Sequence, residues 1–142
     1  MFRIQSKPID TAALREQCLA DNAGAYTAFE GWVRDNNEGR AVNSLEYEAY
    51  AELAEKEGSK ILQEAQESWP LVAVAAEHAV GHLKIGDCAI YVGVASKHRA
   101  DAFEACRYIV DNVKDRVPIW KKEHHTTGTT KWINCHKVVE DQ

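Results

Sequence analysis

Residues 71–118 read LVAVAAEHAVGHLKIGDCAIYVGVASKHRADAFEACRYIVDNVKDRVP, and this stretch decides the fold. Two runs, 71–80 and 88–95, are dominated by Val, Ile and Ala and have strand length. GHLKIGD (81–87) lies between them, so the pair reads as an antiparallel hairpin with a long connector. Ser96 then offers an N-cap for a helix over about 97–117. Ala102, Cys106, Ile109, Val110, Val113 and Val117 recur at helical spacing on one face, and Pro118 stops the helix. Two antiparallel strands followed directly by a helix, with no βαβ alternation, predict an α+β arrangement.

The flanks extend that pattern. Upstream, 44–50 (SLEYEAY) alternates Leu45, Tyr47 and Ala49 with polar residues, as a half-buried strand does. A helix over 51–69 carries Leu53, Ile61, Leu62 and Ala65, with Gly58 as an internal weak point and Pro70 as its stop. Further back, 24–33 (GAYTAFEGWV) reads as a strand running into the polar loop 35–39. Asp10 caps a short helix from Thr11 with Leu14 and Cys18 on one face, and Asp21–Gly24 forms a turn. Phe2 and Ile4 suit a first strand. Downstream, 119–139 mixes short strands with a turn at Gly128. With no repeat, linker or low-complexity segment, the expectation is one α+β domain over 1–142, mostly antiparallel.

Composition narrows the function classes. The chain has 142 residues, 45% hydrophobic, enough for one core. No apolar run approaches the ~20 residues that span a bilayer, and MFRIQSKPID lacks a signal-length apolar stretch, so the expected location is the cytoplasm. A net charge of −5 argues against nucleic acid as partner. The charge is uneven, however. Residues 97–137 hold nine Lys+Arg against five Asp+Glu, and the remainder holds eight against seventeen. A basic segment on an acidic chain points to an anion site or to a solvated basic face. Cys18, Cys88, Cys106 and Cys135 form no CxxC pair and read as small buried hydrophobes in a reducing compartment. His124, His125, Cys135 and His136 match no common zinc spacing. There is no phosphate-binding loop, dinucleotide fingerprint or GxSxG elbow.

Three segments carry potential chemistry. Phe29-Glu30-Gly31-Trp32-Val33-Arg34 puts an arginine where a strand meets a loop, a place to hold phosphate or carboxylate by paired hydrogen bonds. Ser96 to Asp101 sets Lys97, His98 and Arg99 at a helix start, where exposed amides favour an anion. KDRVPIWKKE (114–123) gathers Lys114, Arg116, Lys121 and Lys122 around a proline turn. Crowded like charge is a setting in which a lysine can exchange protons near neutral pH. A surface turn and a solvated basic face are the alternatives for the last two.

Taken in order, GAYTAFEGWVR (24–34), GHLKIGDCAIYVGVASKHRADAFEACRYIVDNVK (81–114) and VPIWKKE (117–123) resemble the large, catalytic subunit of molybdopterin synthase over roughly residues 24–132. The resemblance implies an α/β-hammerhead-like domain with added antiparallel strands. It implies a sulfurtransferase that converts cyclic pyranopterin monophosphate into molybdopterin by inserting two sulfurs. The sulfur comes as a thiocarboxylate on the C-terminal Gly-Gly tail of a small ubiquitin-like subunit. The implied assembly is a homodimer of large subunits within a heterotetramer, and no metal or organic cofactor is required. By position, the essential lysines fall on Lys114 and Lys121. The implied substrate-binding set is Arg34, His98, Arg99, Lys122 and Glu123, with Phe29, Trp32 and Val33 from the same strand end. Some members carry lysine where this chain has Trp32, so no charge-based role transfers there, and none transfers to His136. With sulfur supplied by the partner, none of the cysteines need react.

Three rivals are a non-catalytic pterin-binding protein, expected to lack Lys114 or Lys121, a scaffold that only docks a ubiquitin-like tail, which needs no anion cluster, and a phosphate-ester hydrolase, expected to show a metal or nucleophile constellation that the sequence lacks. The resemblance also raises a geometric problem. His98 and Lys114 lie sixteen residues apart on one predicted helix, ~24 Å at ~1.5 Å per residue. One pterin monophosphate is too short to touch both, so the expected site takes its His-Arg pair from a second subunit.

Overall fold

The computed structural model describes residues 1–128 and 130–134, with only the backbone of 131, 133 and 134. The expected elements are present and two short strands join them. In chain order they are β1 (Phe2–Gln5), α1 (Thr11–Cys18), β2 (Ala25–Trp32), β3 (Asn36–Asn37), β4 (Arg40–Ala49), α2 (Ala51–Ser68), β5 (Leu71–Ala79), β6 (Gly81–Lys84), β7 (Cys88–Ser96), α3 (Arg99–Arg116), β8 (Ile119–His125) and β9 (Thr130–Asn134). This is the expected α+β class.

One sheet has the order β1-β5-β7-β2 and is antiparallel except for the parallel β1–β5 pair. The second runs β3-β4-β8-β9, with β6 also paired to β4. Helices α2 and α3 pack together and against the first sheet, and α1 packs against β5 and β7. Leu14 and Cys18 of α1 join Ala75, Tyr91 and Ala95 in a small cluster apart from the main core. With both faces covered, β7 is buried from Ala89 to Ser96, which is why CAIYVGVA is nearly continuous in apolar character.

Several expectations are corrected. The connector 81–87 is no simple hairpin loop, because β6 pairs with β4 of the other sheet, Leu83 opposite Leu45. The loop 35–39 contains β3, hairpinned onto Arg40 and Ala41 through Glu38 and Gly39, both at positive φ. Ser96 does not cap α3. It is fully buried at the end of β7, and its hydroxyl donates to the His98 carbonyl at 2.6 Å. The helix starts at Arg99. Leu53 points outward, 51% exposed. Asp10 does cap α1, accepting from the Ala13 amide at 3.0 Å. Cys135, His136 and the tail to residue 139 lie outside the described residues.

Gly58 has a packing reason. A Cβ there would sit 2.3 Å from the ring of Phe2, which is completely buried. The missing side chain lets β1 lie against α2, whose Ser59 and Glu55 accept from the Phe2 and Ile4 amides. Gly58→Ala gains ~1 kcal/mol of helix propensity but overpacks by more. The expected result is a net loss of ~2 kcal/mol and a lower melting temperature. A higher melting temperature would show that propensity outweighs the contact.

Arg116 fastens α3 to α2. Its guanidinium meets both Glu64 oxygens, at 2.7 and 3.0 Å, and Glu57 at 2.7 Å. The Arg116 bonds, helped by the Tyr108 hydroxyl, hold the Glu64 carboxyl down at about 2. A depressed folded-state value stabilises fully above the ordinary 4.5 and less as pH falls from there towards about 2. Arg116→Met should therefore cost about 1 kcal/mol at neutral pH, a modest figure because the pair is partly solvated. It should also flatten the acid limb of a melting-temperature profile between those values. An unchanged acid limb would remove Glu64 from the acid sensitivity of the fold.

Candidate active site

Where β2, α3 and the second sheet converge, they enclose a cavity of ≈ 490 Å³. Its position follows from how three elements end. β2 slips register against β7 between Gly31 and Trp32, a bulge that turns the strand end towards the cavity. Phe29, Trp32 and Arg34 line that side, and Trp32 is 67% exposed. α3 stops before Pro118, leaving Val113 and Lys114 of its last turns and the following Val117 on the wall. β8 then supplies Ile119, Lys121 and Glu123, its inward alternate positions. Leu45 and Tyr47 of β4 and Ile90 of β7 give an apolar floor.

Arg34, Lys114 and Lys121 thus share one cavity although 80 residues separate the first two. Glu123 is the opposing charge. It is buried, yet each of its oxygens has company. Asn37 donates to Oε2 at 2.5 Å, the Lys121 ammonium lies 4.0 Å from that oxygen, and His125 Nε2 is 3.3 Å from Oε1, off hydrogen-bond geometry. Lys121 is therefore tethered. Lys114 is exposed and has no hydrogen bond or ion pair among the described residues. Among the described residues the cavity carries three cations against one buried carboxylate, so it suits an anionic ligand.

His78 also faces the cavity and was not anticipated. Burial, opposed by a hydrogen bond to the Ala79 carbonyl and aided by the nearby Lys114 charge, lowers its pKa to about 4. The ring is neutral at pH 7, with Nδ1–H donating at 2.8 Å and Tyr47 packed edge-on against it. A histidine inside the apolar run LVAVAAEHAV was the available signal. Asn37 gave none, because its partner Glu123 is 86 residues away.

Not every expected residue reaches the cavity. Val33 is buried behind it, its amide bonded to the Asp87 carbonyl at 3.0 Å. Lys122, between Lys121 and Glu123, projects from the opposite face of β8, its ammonium 5.2 Å from the Trp132 ring centre. Arg116 is turned onto α2. His98 and Arg99 line a separate depression with Gly24 and Lys97. Gly24 is required there, since a Cβ would come within 2.6 Å of the Lys97 carbonyl. α3 is unbroken from Arg99 to Arg116, and β2 runs from Ala25 at the depression to Trp32 at the cavity. Both elements put the two places at least ~20 Å apart.

A family model for MoaE protein matches residues 4–116. The molybdopterin synthase catalytic subunit of Halalkalibacterium halodurans is 43% identical over 132 residues, covering 93% of this chain and 84% of that one. The chain belongs to the MoaE family of molybdopterin synthase catalytic subunits. The corresponding Staphylococcus carnosus subunit is 41% identical over 99% of this chain and 93% of its own. In three dimensions, the crystal structure of molybdopterin synthase from Staphylococcus aureus superposes with a TM-score of 0.89 at 39% identity, over 94% of this chain and 96% of that one. A protein–protein complex of subunits 1 and 2 of the molybdopterin-converting factor from Helicobacter pylori gives 0.75 at 25% identity, over 94% and 88%. MoaE membership makes the chain a sulfurtransferase subunit. No helix among the described residues is long and apolar enough to cross a membrane.

The opposite facing of neighbouring lysines predicts unequal mutants. Lys121→Ala should cut turnover by ~100-fold or more, and Lys122→Ala by less than ~5-fold, because only the first cation reaches the cavity. Equal losses in steady-state assays would show that the basic segment acts as diffuse charge.

Proposed function

We propose that this chain inserts two sulfurs into cyclic pyranopterin monophosphate, taking each from the thiocarboxylated Gly-Gly tail of a small ubiquitin-like subunit. The observation that carries the reading is the convergence of Arg34, Lys114 and Lys121 on one cavity that no described cysteine lines. Burial pushes the Cys88 and Cys106 thiols up to about 11, so neither supplies thiolate at neutral pH. The nucleophile then arrives from outside, as a tail-borne sulfur requires. Phe29 and Trp32 at the rim offer apolar contact for that tail. The Helicobacter pylori two-subunit complex supports a partner of this kind.

In this reading Arg34 holds substrate phosphate, with His98 and Arg99 of a second copy. Lys121, fixed near Glu123, supplies stationary positive charge to the thiocarboxylate or an oxyanion. Lys114, with no hydrogen bond or ion pair among the described residues and beside the neutral His78, moves protons. Each tail sulfur forms a C–S bond at a substrate side-chain carbon as the C–O bond there breaks, opening the cyclic phosphate at one carbon and losing water at the other. Water hydrolyses the resulting thioester to release the tail as a carboxylate. The assembly is a homodimer of this chain with one small subunit on each copy. Cys18, Cys88 and Cys106 are free thiols, which fits a reducing cytoplasm.

The direct test combines this chain, a thiocarboxylated small subunit and cyclic pyranopterin monophosphate. Dithiolene product and loss of the thiocarboxylate are expected together. Tail binding without product would leave only a docking protein.

A further inference from the structure

The outer face of the second sheet carries a side-chain cluster that the sulfur transfer does not use. Alternation along β8 sends Lys121, Glu123 and His125 inward, and Lys122 and His124 outward. On the adjoining β4, Glu46 is outward. It stands opposite His82 of β6 on one side and opposite Lys122 on the other, with His124 two pairs further along β8, opposite Ser44. Three neighbouring strands thus present two imidazoles and a carboxylate to the same patch. One donor atom from each of Glu46, His82 and His124 lies within 4.8 Å of the others. His124 Nε2 is 3.4 Å from Glu46 Oε1, and the two histidine rings stack at 5.6 Å with 29° between their planes.

A tetrahedral ion with ligand bonds of ~2.0–2.1 Å holds its donor atoms ~3.3 Å apart. The His124–Glu46 pair already has that spacing. His82 is exposed and needs only a side-chain rotation to close the triangle. The carboxylate is available as well. The cation opposite it, Lys122, is directed onto Trp132, and Glu46 makes no ion pair with lysine or arginine among the described residues. Two nitrogens and one oxygen suit zinc, whereas calcium and magnesium prefer all-oxygen sites.

We propose that Glu46, His82 and His124 form a surface zinc site, with water completing the coordination. The ion would clamp β6, and with it the connector from β5 to β7, onto β4 and β8. The site lies across the sheet from the cavity, so zinc takes no part in sulfur transfer. Chain spacing hid it, because its ligands come from three strands rather than from the His124–His136 segment.

The test titrates the metal-free full-length chain with Zn²⁺ by calorimetry and melts it with and without the ion. Saturable binding of one ion per chain and a zinc-dependent rise in melting temperature are expected. His82→Ala and His124→Ala should each weaken binding by at least ~10-fold, since even an outer-shell partner is worth that much. Both should also remove most of the thermal shift. Co²⁺ gives an independent reading through the visible absorption of a low-coordinate site, which His82→Ala should abolish. Wild-type affinity in both histidine variants would place the ion elsewhere and overturn the assignment. So would the absence of saturable binding to the unmodified chain.

Discussion

Lys114→Ala is expected to lower turnover by at least ~100-fold while the chain stays folded. Two features of the position lead to this. Its side chain ends at the cavity wall on the last turn of α3, beside a neutral histidine. It also has no hydrogen bond or ion pair among the described residues, unlike Arg116, which is spent on α2. An exposed lysine changed to alanine near a helix end disturbs little of the fold, because alanine is the best helix former and no packing is lost. The melting temperature should therefore move by no more than ~2 °C. Lys114→Arg sharpens the reading. Arginine keeps the charge and does not deprotonate near neutral pH, so it should rescue an electrostatic role and not a proton-transfer role. Wild-type turnover in a folded Lys114→Ala chain would take this residue out of the mechanism.

The sequence was most legible where a single element buries one face or both. The run CAIYVGVA and the spacing of Ala102, Cys106, Ile109, Val110 and Val113 each announce their burial without help from the rest of the chain. β3 and β6 were not legible. They are two and four residues long, and β6 is defined by its pairing with β4, more than thirty residues away. Ser96 misled for a related reason. Serine before a basic turn resembles a cap, but here β7 continues to Ser96 and the hydroxyl serves the His98 carbonyl instead. At the site, family resemblance located Arg34, Lys114 and Lys121, and only the tertiary fold brings them to one cavity. The exclusion of Lys122 was readable in principle, since a strand of period two cannot turn Lys121, Lys122 and Glu123 to one side. The contact of Asn37 with Glu123 and the entry of His78 into the wall depend on long-range packing that leaves no local pattern.

The proposed completion of each reaction site by a second copy of this chain rests on a distance. Arg99 starts α3, Lys114 lies in its last turn, and the helix between them is continuous. The fifteen-residue separation is ~22 Å along the axis. The most direct measurement mixes Lys114→Ala chains with Arg99→Ala chains, each inactive alone, under conditions where subunits exchange. A mixed two-fold dimer then collects both defects in one site and leaves the other intact. Random pairing makes half of the dimers mixed, so activity should recover to roughly a quarter of wild type. No recovery, with exchange demonstrated by mass-tagged subunits, would place Arg99 and Lys114 in sites of the same chain and contradict the shared site.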